Sequence, residues 1–145
     1  MSSLFLVRLL LPLAALLLLL PAAGRAEDTS LYQRLGGEPA VRAVMGKTLA
    51  TVAANPELNH TFKNVNLSRL ADRITLFVCA HTGGGCVYQD DSIREIHAGL
   101  GITGHEFDAF VAILKSNLDA AGVGTREKGE LLRLLAPMKQ DIVAP

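Results

Sequence analysis

The stretch DDSIREIHAGLGIT, from Asp90 to Thr103, sets one histidine into a short apolar repeat. Ile93, His97 and Leu100 recur at i, i+4 and i+7, a spacing that puts their side chains on one face of a helix. Two glycines near the end of the stretch predict that this helix is short. We therefore expect the ring of His97 to point into the core.

A buried imidazole needs a partner for its ring nitrogens. The partner is either an ordinary hydrogen-bond acceptor in the core or a metal ion that brings its other ligands with it. The residues around His97 leave both alternatives open.

Residues 1–26 are typical of a secretory signal peptide. An apolar, leucine-rich run follows Arg8, and small residues precede a predicted cleavage after Ala26. Residues 27–145 are then expected to form one small domain of an exported protein, periplasmic or secreted, without membrane association. The alternative is an uncleaved membrane anchor, since the apolar run approaches the length of a membrane span.

The charge of the chain argues against polyanionic partners. The formal net charge is +0, with 14 basic and 14 acidic residues, and it becomes slightly acidic once the signal peptide is removed. No run of lysine and arginine supplies the counterion release that drives nucleic-acid binding. Nucleic acid and anionic membrane surfaces are therefore not expected as partners.

The chain has two cysteines, Cys79 and Cys86, in the segment FVCAHTGGGCVY. In an oxidising compartment their spacing across a glycine-rich turn favours a disulfide. A zinc site that includes His81 is the alternative, but it lacks a fourth ligand and the paired CxxC spacing of such sites. We expect a structural disulfide.

The mature chain is predicted to be all-α, because its apolar residues follow helical periodicity and no long segment alternates with period two. Ser30 and Asn66 are predicted helix N-caps. Pro39 is suited to the first position of a helix that ends before Pro56. Pro137 is expected to kink the last helix.

Two long apolar stripes lie on either side of the His97 segment in the sequence. They cover residues 67–78 and 107–118, and a capping box formed by Thr103 and Glu106 precedes the second. Packed together, the stripes enclose either a solid core or a flat apolar cofactor whose metal faces His97. Periodicity alone does not choose between these.

Several sequence landmarks occur in a defined order along the chain: SLYQRLGGEPAVRAV from Ser30, NPEL from Asn55, Phe62, the TGG turn at Thr82, IHAGLGIT around His97, FDAFV from Phe107 and LLAPMKQDIV from Leu134. Together they resemble the group 1 truncated haemoglobins over about residues 30–143. The similarity is greatest to exported members with a cysteine pair that flanks the TGG turn.

The resemblance implies a truncated globin with a two-over-two helical sandwich and a non-covalent haem, because the covalent attachment motif CxxCH is absent. His97 matches the iron ligand, whose other ring nitrogen donates to a nearby carbonyl. Phe62 matches a residue that packs on the haem face. Arg73 matches a basic residue that reaches a haem propionate, although a solvated surface charge is the alternative. The matched pocket-wall positions are Leu70, Ile74, Phe77 and Phe110.

The chain departs from the resemblance where ligand chemistry is decided. Many group 1 members place a tyrosine and a glutamine where this chain has Leu49 and Ile74, and neither of these donates a hydrogen bond. Helical direction turns the neighbouring Thr48 and Thr75 away from the site. The remaining histidines, His60, His81 and His105, do not match a position next to the iron.

The function implied is reversible binding of a diatomic gas, oxygen, carbon monoxide or nitric oxide, by a monomer or weak dimer. One alternative is a haem enzyme, a nitric oxide dioxygenase or peroxidase-like protein, which needs an electron donor that the sequence does not identify. The other is a haem-free helical domain that acts through protein contacts.

Overall fold

The computed structural model describes residues 29–89 and 92–144, so the predicted signal peptide and the predicted domain start at residue 27 lie outside it. Within these ranges no helix has the length and apolarity needed to cross a membrane. The helices in chain order are α1 Leu31–Arg34, α2 Gly37–Ala54, a 3₁₀ helix Asn59–Phe62, α3 Leu67–His81, α4 Ile93–His97, α5 Gly104–Ala120, α6 Thr125–Leu135, a 3₁₀ helix Ala136–Met138 and α7 Lys139–Ile142.

The four longest helices share one apolar core. Helix α2 packs against both α3 and α5. The core side chains come from the residue that follows α1 and from all four of these helices: Leu35, Val41, Val44, Met45, Phe77, Val78, Leu114, Leu118 and Leu131. The prediction of an all-α domain is therefore confirmed for the described residues.

The predicted caps are present. The Ser30 hydroxyl accepts from the backbone N–H of Gln33, and the side-chain oxygen Oδ1 of Asn66 accepts from the backbone N–H of Arg69 at 3.0 Å. Thr103 and Glu106 form the expected capping box at the start of α5. These local hydrogen bonds satisfy donors that helix geometry leaves open, which is why the sequence predicts them well.

Three features differ from the sequence-based expectation. Helix α2 begins at Gly37, so Pro39 lies third in the helix, where its missing N–H costs no intrahelical bond. A second capping box, Ser92 with Glu95, begins α4 and was not predicted. Near Pro137 the last helix divides into α6, a 3₁₀ turn and α7, a stronger break than the expected kink.

Candidate functional site

A cavity of about 610 Å³ lies among α2, α3, α4 and α5, and its lining is mainly apolar. Its size falls within the range of pockets that hold cofactor-sized ligands. The apolar stripes therefore do not fill the space between them, and a solid core is the wrong alternative. Every site residue predicted from the sequence lines this cavity: Leu49, Phe62, Leu70, Arg73, Ile74, Phe77, His97 and Phe110.

The His97 side chain borders the cavity rather than the packed core. Ile93, His97 and Leu100 all line the cavity. Of the three, Ile93 also packs against the core, as expected, whereas the expectation is wrong for Leu100, which is 39% exposed. Apolar side chains that face an open space of this size are covered only when a ligand occupies it.

Local structure fixes the state of the His97 ring. Its Nδ1 lies 2.7 Å from the carbonyl oxygen of Ile93, one helical turn earlier. Because a carbonyl only accepts, Nδ1 carries a proton and donates it, so in the neutral tautomer the lone pair is on Nε2. An imidazole in this tautomer can ligate a metal through Nε2, the role that the resemblance to truncated haemoglobins implies for His97. No cluster of three or more His, Cys, Asp or Glu residues suited to a metal occurs in the described residues.

The cavity walls from α2 and α3 are apolar at the two positions where many group 1 truncated haemoglobins carry a hydrogen-bond donor, Leu49 and Ile74. Leu49 is 1% exposed, and Ile74 lies on α3. The hydroxyl of Thr48 donates to the carbonyl of Val44 at 2.8 Å and accepts from the Asn117 amide at 3.1 Å. It therefore supplies no donor to the cavity.

Thr75 behaves in the same way, because its buried hydroxyl donates to the carbonyl of Ala71 at 2.7 Å. Neither Thr48 nor Thr75 lines the cavity. The expectation that both hydroxyls face away from the site is confirmed.

Arg73 lies at the edge of the cavity. The residue is exposed yet contributes to the lining, so its guanidinium group lies where the apolar space meets the protein surface. This position suits an anionic group on a ligand that is otherwise buried. Sequence reasoning found the residue, and the structure brings it to the cavity that His97 also lines.

Tyr88, His60 and Glu106 also line the cavity and were not predicted as site residues. Tyr88 packs edge-on against Phe77, with ring centroids 5.1 Å apart. It belongs to an irregular segment, where no periodicity shows which way a side chain points. The short spacing between Tyr88 and the cysteine pair was the only available signal.

His60 and Glu106 form a pair across the fold, with His60 Nε2 2.5 Å from Glu106 Oε1. The backbone N–H and hydroxyl of Thr103 donate to the other oxygen of Glu106. These bonds, and to a smaller extent His60, hold the pKa of Glu106 below its ordinary value of 4.5, although burial opposes the shift. The capping box predicted the role of Glu106 in the helix but not its partner, which is distant in sequence.

The two cysteines lie side by side, one at the end of α3 and the other in the segment that carries Tyr88. Cys79 and Cys86 lie with their Cα atoms 5.6 Å apart and their sulfur atoms within bonding distance. Gly84 packs so closely against Cys79 Sγ and the Tyr32 ring that any Cβ there would overlap both. The close approach of this turn to Cys79 therefore requires a glycine at position 84.

The residues present fit haem. The cavity is apolar and of suitable size, the His97 Nε2 lone pair is available to iron, and Arg73 at the edge suits a propionate. The other histidine that lines the cavity, His60, has its Nε2 paired with Glu106, so among the described lining residues His97 is the histidine suited to ligate iron.

The chain is similar to known globins. The family model for bacterial-like globins matches residues 30–144. The group 1 truncated haemoglobin GlbN of Mycolicibacterium paratuberculosis is 33% identical over 118 residues, which are 81% of this chain and 87% of the relative.

Solved structures agree with the family match. The truncated haemoglobin of Tetrahymena pyriformis in its Fe(III) form superposes with a TM-score of 0.73 at 26% identity and covers 80% of this chain and 99% of that one. The 2/2 haemoglobin of Synechococcus sp., solved with covalently attached haem, gives a TM-score of 0.73 at 25% identity over 79% and 98% of the two chains. The chain therefore belongs to the bacterial-like globin family, as a haem-binding group 1 truncated haemoglobin with the two-over-two helical fold.

Proposed function

We propose that this protein reversibly binds a diatomic gas at haem iron that His97 ligates. The observation that carries the proposal is the half-buried imidazole of His97, which lines an apolar cavity of about 610 Å³ and whose Nδ1 is committed to the Ile93 carbonyl. Haem in this cavity supplies an iron with a coordination position for the gas. The protein contributes the orientation of the ring and the polarity of the walls.

The hydrogen bond from His97 to Ile93 places the proton of the neutral ring on Nδ1 and fixes the direction of the ring. A ligating histidine whose second nitrogen donates to a carbonyl is held in one tautomer, and the bond raises the basicity of the coordinating nitrogen. Arg73 offers its charge to a propionate at the cavity edge, and Phe62 provides an aromatic surface for the flat face of the ring system.

The walls near Leu49 and Ile74 determine which gas is favoured. They offer no donor, so a ligand that gains from a hydrogen bond is held less tightly than in a pocket with tyrosine and glutamine there. Oxygen depends on such a donor more than carbon monoxide does. We therefore expect rapid oxygen dissociation and a comparatively high affinity for carbon monoxide.

Titration of the purified apoprotein with haemin tests this proposal. We expect a Soret band that saturates at one haem per chain and shifts when the reduced protein is exposed to carbon monoxide. The variant His97→Ala should lose the normal ferrous spectrum, with Leu132→Ala, a substitution outside the cavity, as the control. A wild-type protein without a saturable Soret band contradicts the proposal.

Nitric oxide dioxygenation is the second candidate, with an external electron donor. It is favoured by the His60–Glu106 pair, which brings polar side chains, of the kind that stabilise charge on bound oxygen, to an otherwise apolar cavity. Nitrate formation from the oxygenated protein and nitric oxide, with a reductant supplied, tests it. A rate no greater than that of free haemin rules it out, and a loss of rate in His60→Leu supports it.

We also propose that the chain is exported and that Cys79 and Cys86 form a disulfide. The signal-like residues 1–26 and the proximity of the two sulfur atoms support this. Mass spectrometry of the protein from its native compartment tests both points. We expect cleavage after Ala26 and a mass 2 Da below that of the reduced form, on the basis of about 1 Da for each hydrogen lost.

A further inference from the structure

We propose that the C-terminal brace, residues 139–144, positions His97, and that Lys139 and Asp141 are its positioning residues. The proposal rests on haem ligation by His97 and concerns how this chain holds the His97 imidazole in position. The brace consists of α7 and the two residues that follow it.

Helix α4 cannot fix its own position. It has only five residues, Ile93–His97, and a helix of that length is not stable by itself. Its capping box, Ser92 with Glu95, is a local contact that orders the first turn. Beyond His97 the chain passes through Gly99 and Gly101, both with positive φ, in a tight turn. Contacts with other elements must therefore decide where the imidazole lies.

The brace supplies such contacts on one side. Asp141 Oδ1 accepts from Arg94 Nη2 at 2.5 Å, and Arg94 lies three residues before His97. The backbone N–H of Ala144 donates to the carbonyl of Ile102 at 2.8 Å, just after the turn. The His97 segment is thus held on both sides of the histidine.

On its other side the brace is attached to α5. Lys139 Nζ lies 2.6 Å from Asp108 Oδ1 and 5.6 Å from the ring centroid of Phe107. Phe107 and Ile142 both line the cavity. The brace therefore spans from the first turn of α5 to the His97 segment, and it sets the distance between two walls of the haem cavity.

The variant Asp141→Asn tests this idea with little change in shape. The Arg94–Asp141 pair is partly exposed, with side-chain exposures of 72% and 40%, so its loss should have a modest effect. We expect haemin transfer to excess apomyoglobin to become about two- to fivefold faster. The ferrous iron–imidazole stretching band in resonance Raman spectra should also shift or broaden.

Asp119→Asn is the matched control. Asp119 pairs with Lys128 between α5 and α6, its side chain is 50% exposed, and neither residue lines the cavity. We expect the Asp119→Asn variant to have a melting temperature close to that of the Asp141→Asn variant but to keep the wild-type haemin transfer rate and Raman band. The charge-swapped pair Arg94→Asp with Asp141→Arg should recover most of the loss caused by Asp141→Arg alone.

The outcomes separate the two proposals. A wild-type protein that binds no haem overturns the function and the brace together. The brace alone is overturned if the wild-type protein shows a normal iron–imidazole band while Asp141→Asn and Asp119→Asn have the same haemin transfer rate and the same Raman band.

Discussion

The imidazole of His97 has two nitrogens with different tasks. Nδ1 is committed to the Ile93 carbonyl, one turn back in the same helix, and Nε2 keeps its lone pair. The hydrogen bond uses only residues of α4, so a five-residue helix is enough to define the tautomer. What it cannot define is the position of the ring, which depends on the surrounding elements.

The absence of a donor at Leu49 leads to a prediction at the same scale. Leu49→Tyr should slow oxygen dissociation by about ten- to a hundredfold, because a phenol hydroxyl gives oxygen in the cavity a hydrogen bond of about 1.5–3 kcal/mol. Leu49 is buried and lines the cavity, so the new side chain must enter it. Stopped-flow displacement of oxygen by carbon monoxide measures the rate.

Leu49→Phe is the control, since it has the same ring without the hydroxyl. A phenylalanine variant that dissociates oxygen as slowly as the tyrosine variant means that bulk, not the hydrogen bond, controls release. Equal rates in Leu49→Tyr and the wild type mean that Leu49 does not face the gas.

Single residues were predictable where sequence order carries the information. The landmarks around Leu49, Phe62 and His97 give their positions relative to one another, and the structure brings all three to one cavity. Tyr88 and the His60–Glu106 pair were missed. Their placement depends on contacts between segments far apart in sequence, which neither helical periodicity nor capping motifs encode.

At the scale of elements, both α4 and α5 begin with a capping box that uses a glutamate. In each the carboxylate accepts hydrogen bonds from the N-cap residue, and this lowers the pKa of Glu95 and of Glu106. A lowered pKa means that the folded protein releases the proton more readily than the unfolded chain. The helix that carries His97 and the helix that follows it are therefore both sensitive to acid.

Glu106→Gln tests this linkage. The carboxylate contributes stability above its ordinary pKa of 4.5, and this contribution is lost as the pH falls through the lowered pKa. We expect the variant to be less stable than the wild type near pH 6 and the difference to shrink steadily below pH 4.5. Urea unfolding at a series of pH values measures it.

Exposed Glu57 provides the comparison, because its side chain caps no helix start. Glu57→Gln should follow the wild-type curve throughout. If the stability difference between Glu106→Gln and the wild type stays constant from pH 6 to pH 3, lost packing and not the loss of the ionised carboxylate causes the difference.

The disulfide proposed between Cys79 and Cys86 leads to a further prediction. Replacing Cys79 and Cys86 with alanine should lower the free energy of unfolding by about 2–3 kcal/mol, the value that the chain-entropy model gives for a loop of this size. Guanidinium unfolding of the oxidised protein and the variant measures the difference. Reduced wild-type protein should resemble the variant, and a reduced protein as stable as the oxidised one contradicts the prediction.

Helix boundaries followed the sequence closely where a cap is local. Ser30, Asn66 and Thr103 begin their helices as predicted. The break near Pro137 was underestimated because a proline shows that a helix is disturbed, not what the chain does next. Here the chain after the break turns to contact α4 and α5, and those tertiary contacts make α7 a separate element.

At the scale of the whole molecule, the fold surrounds an apolar space with side chains that do not fill it. One end of the cavity has Arg73, and another wall has the His60–Glu106 pair, so charge is kept to the boundary. Helix type and order were predictable from periodicity and landmarks. Periodicity did not predict the cavity, because a stripe of leucine and phenylalanine looks the same whether it faces protein or a cofactor; only the resemblance to truncated haemoglobins implied it.

The central claim is that the His97 imidazole is the protein ligand of the haem iron, and replacement of that ring tests it most directly. Substituting His97→Gly removes the ring and leaves space for free imidazole. We expect the reduced variant to lose the wild-type ferrous spectrum and iron–imidazole Raman band, and free imidazole at about a hundred times its Kd for the variant to restore both. A His97→Gly protein that keeps the wild-type band without imidazole would show that another side chain holds the iron.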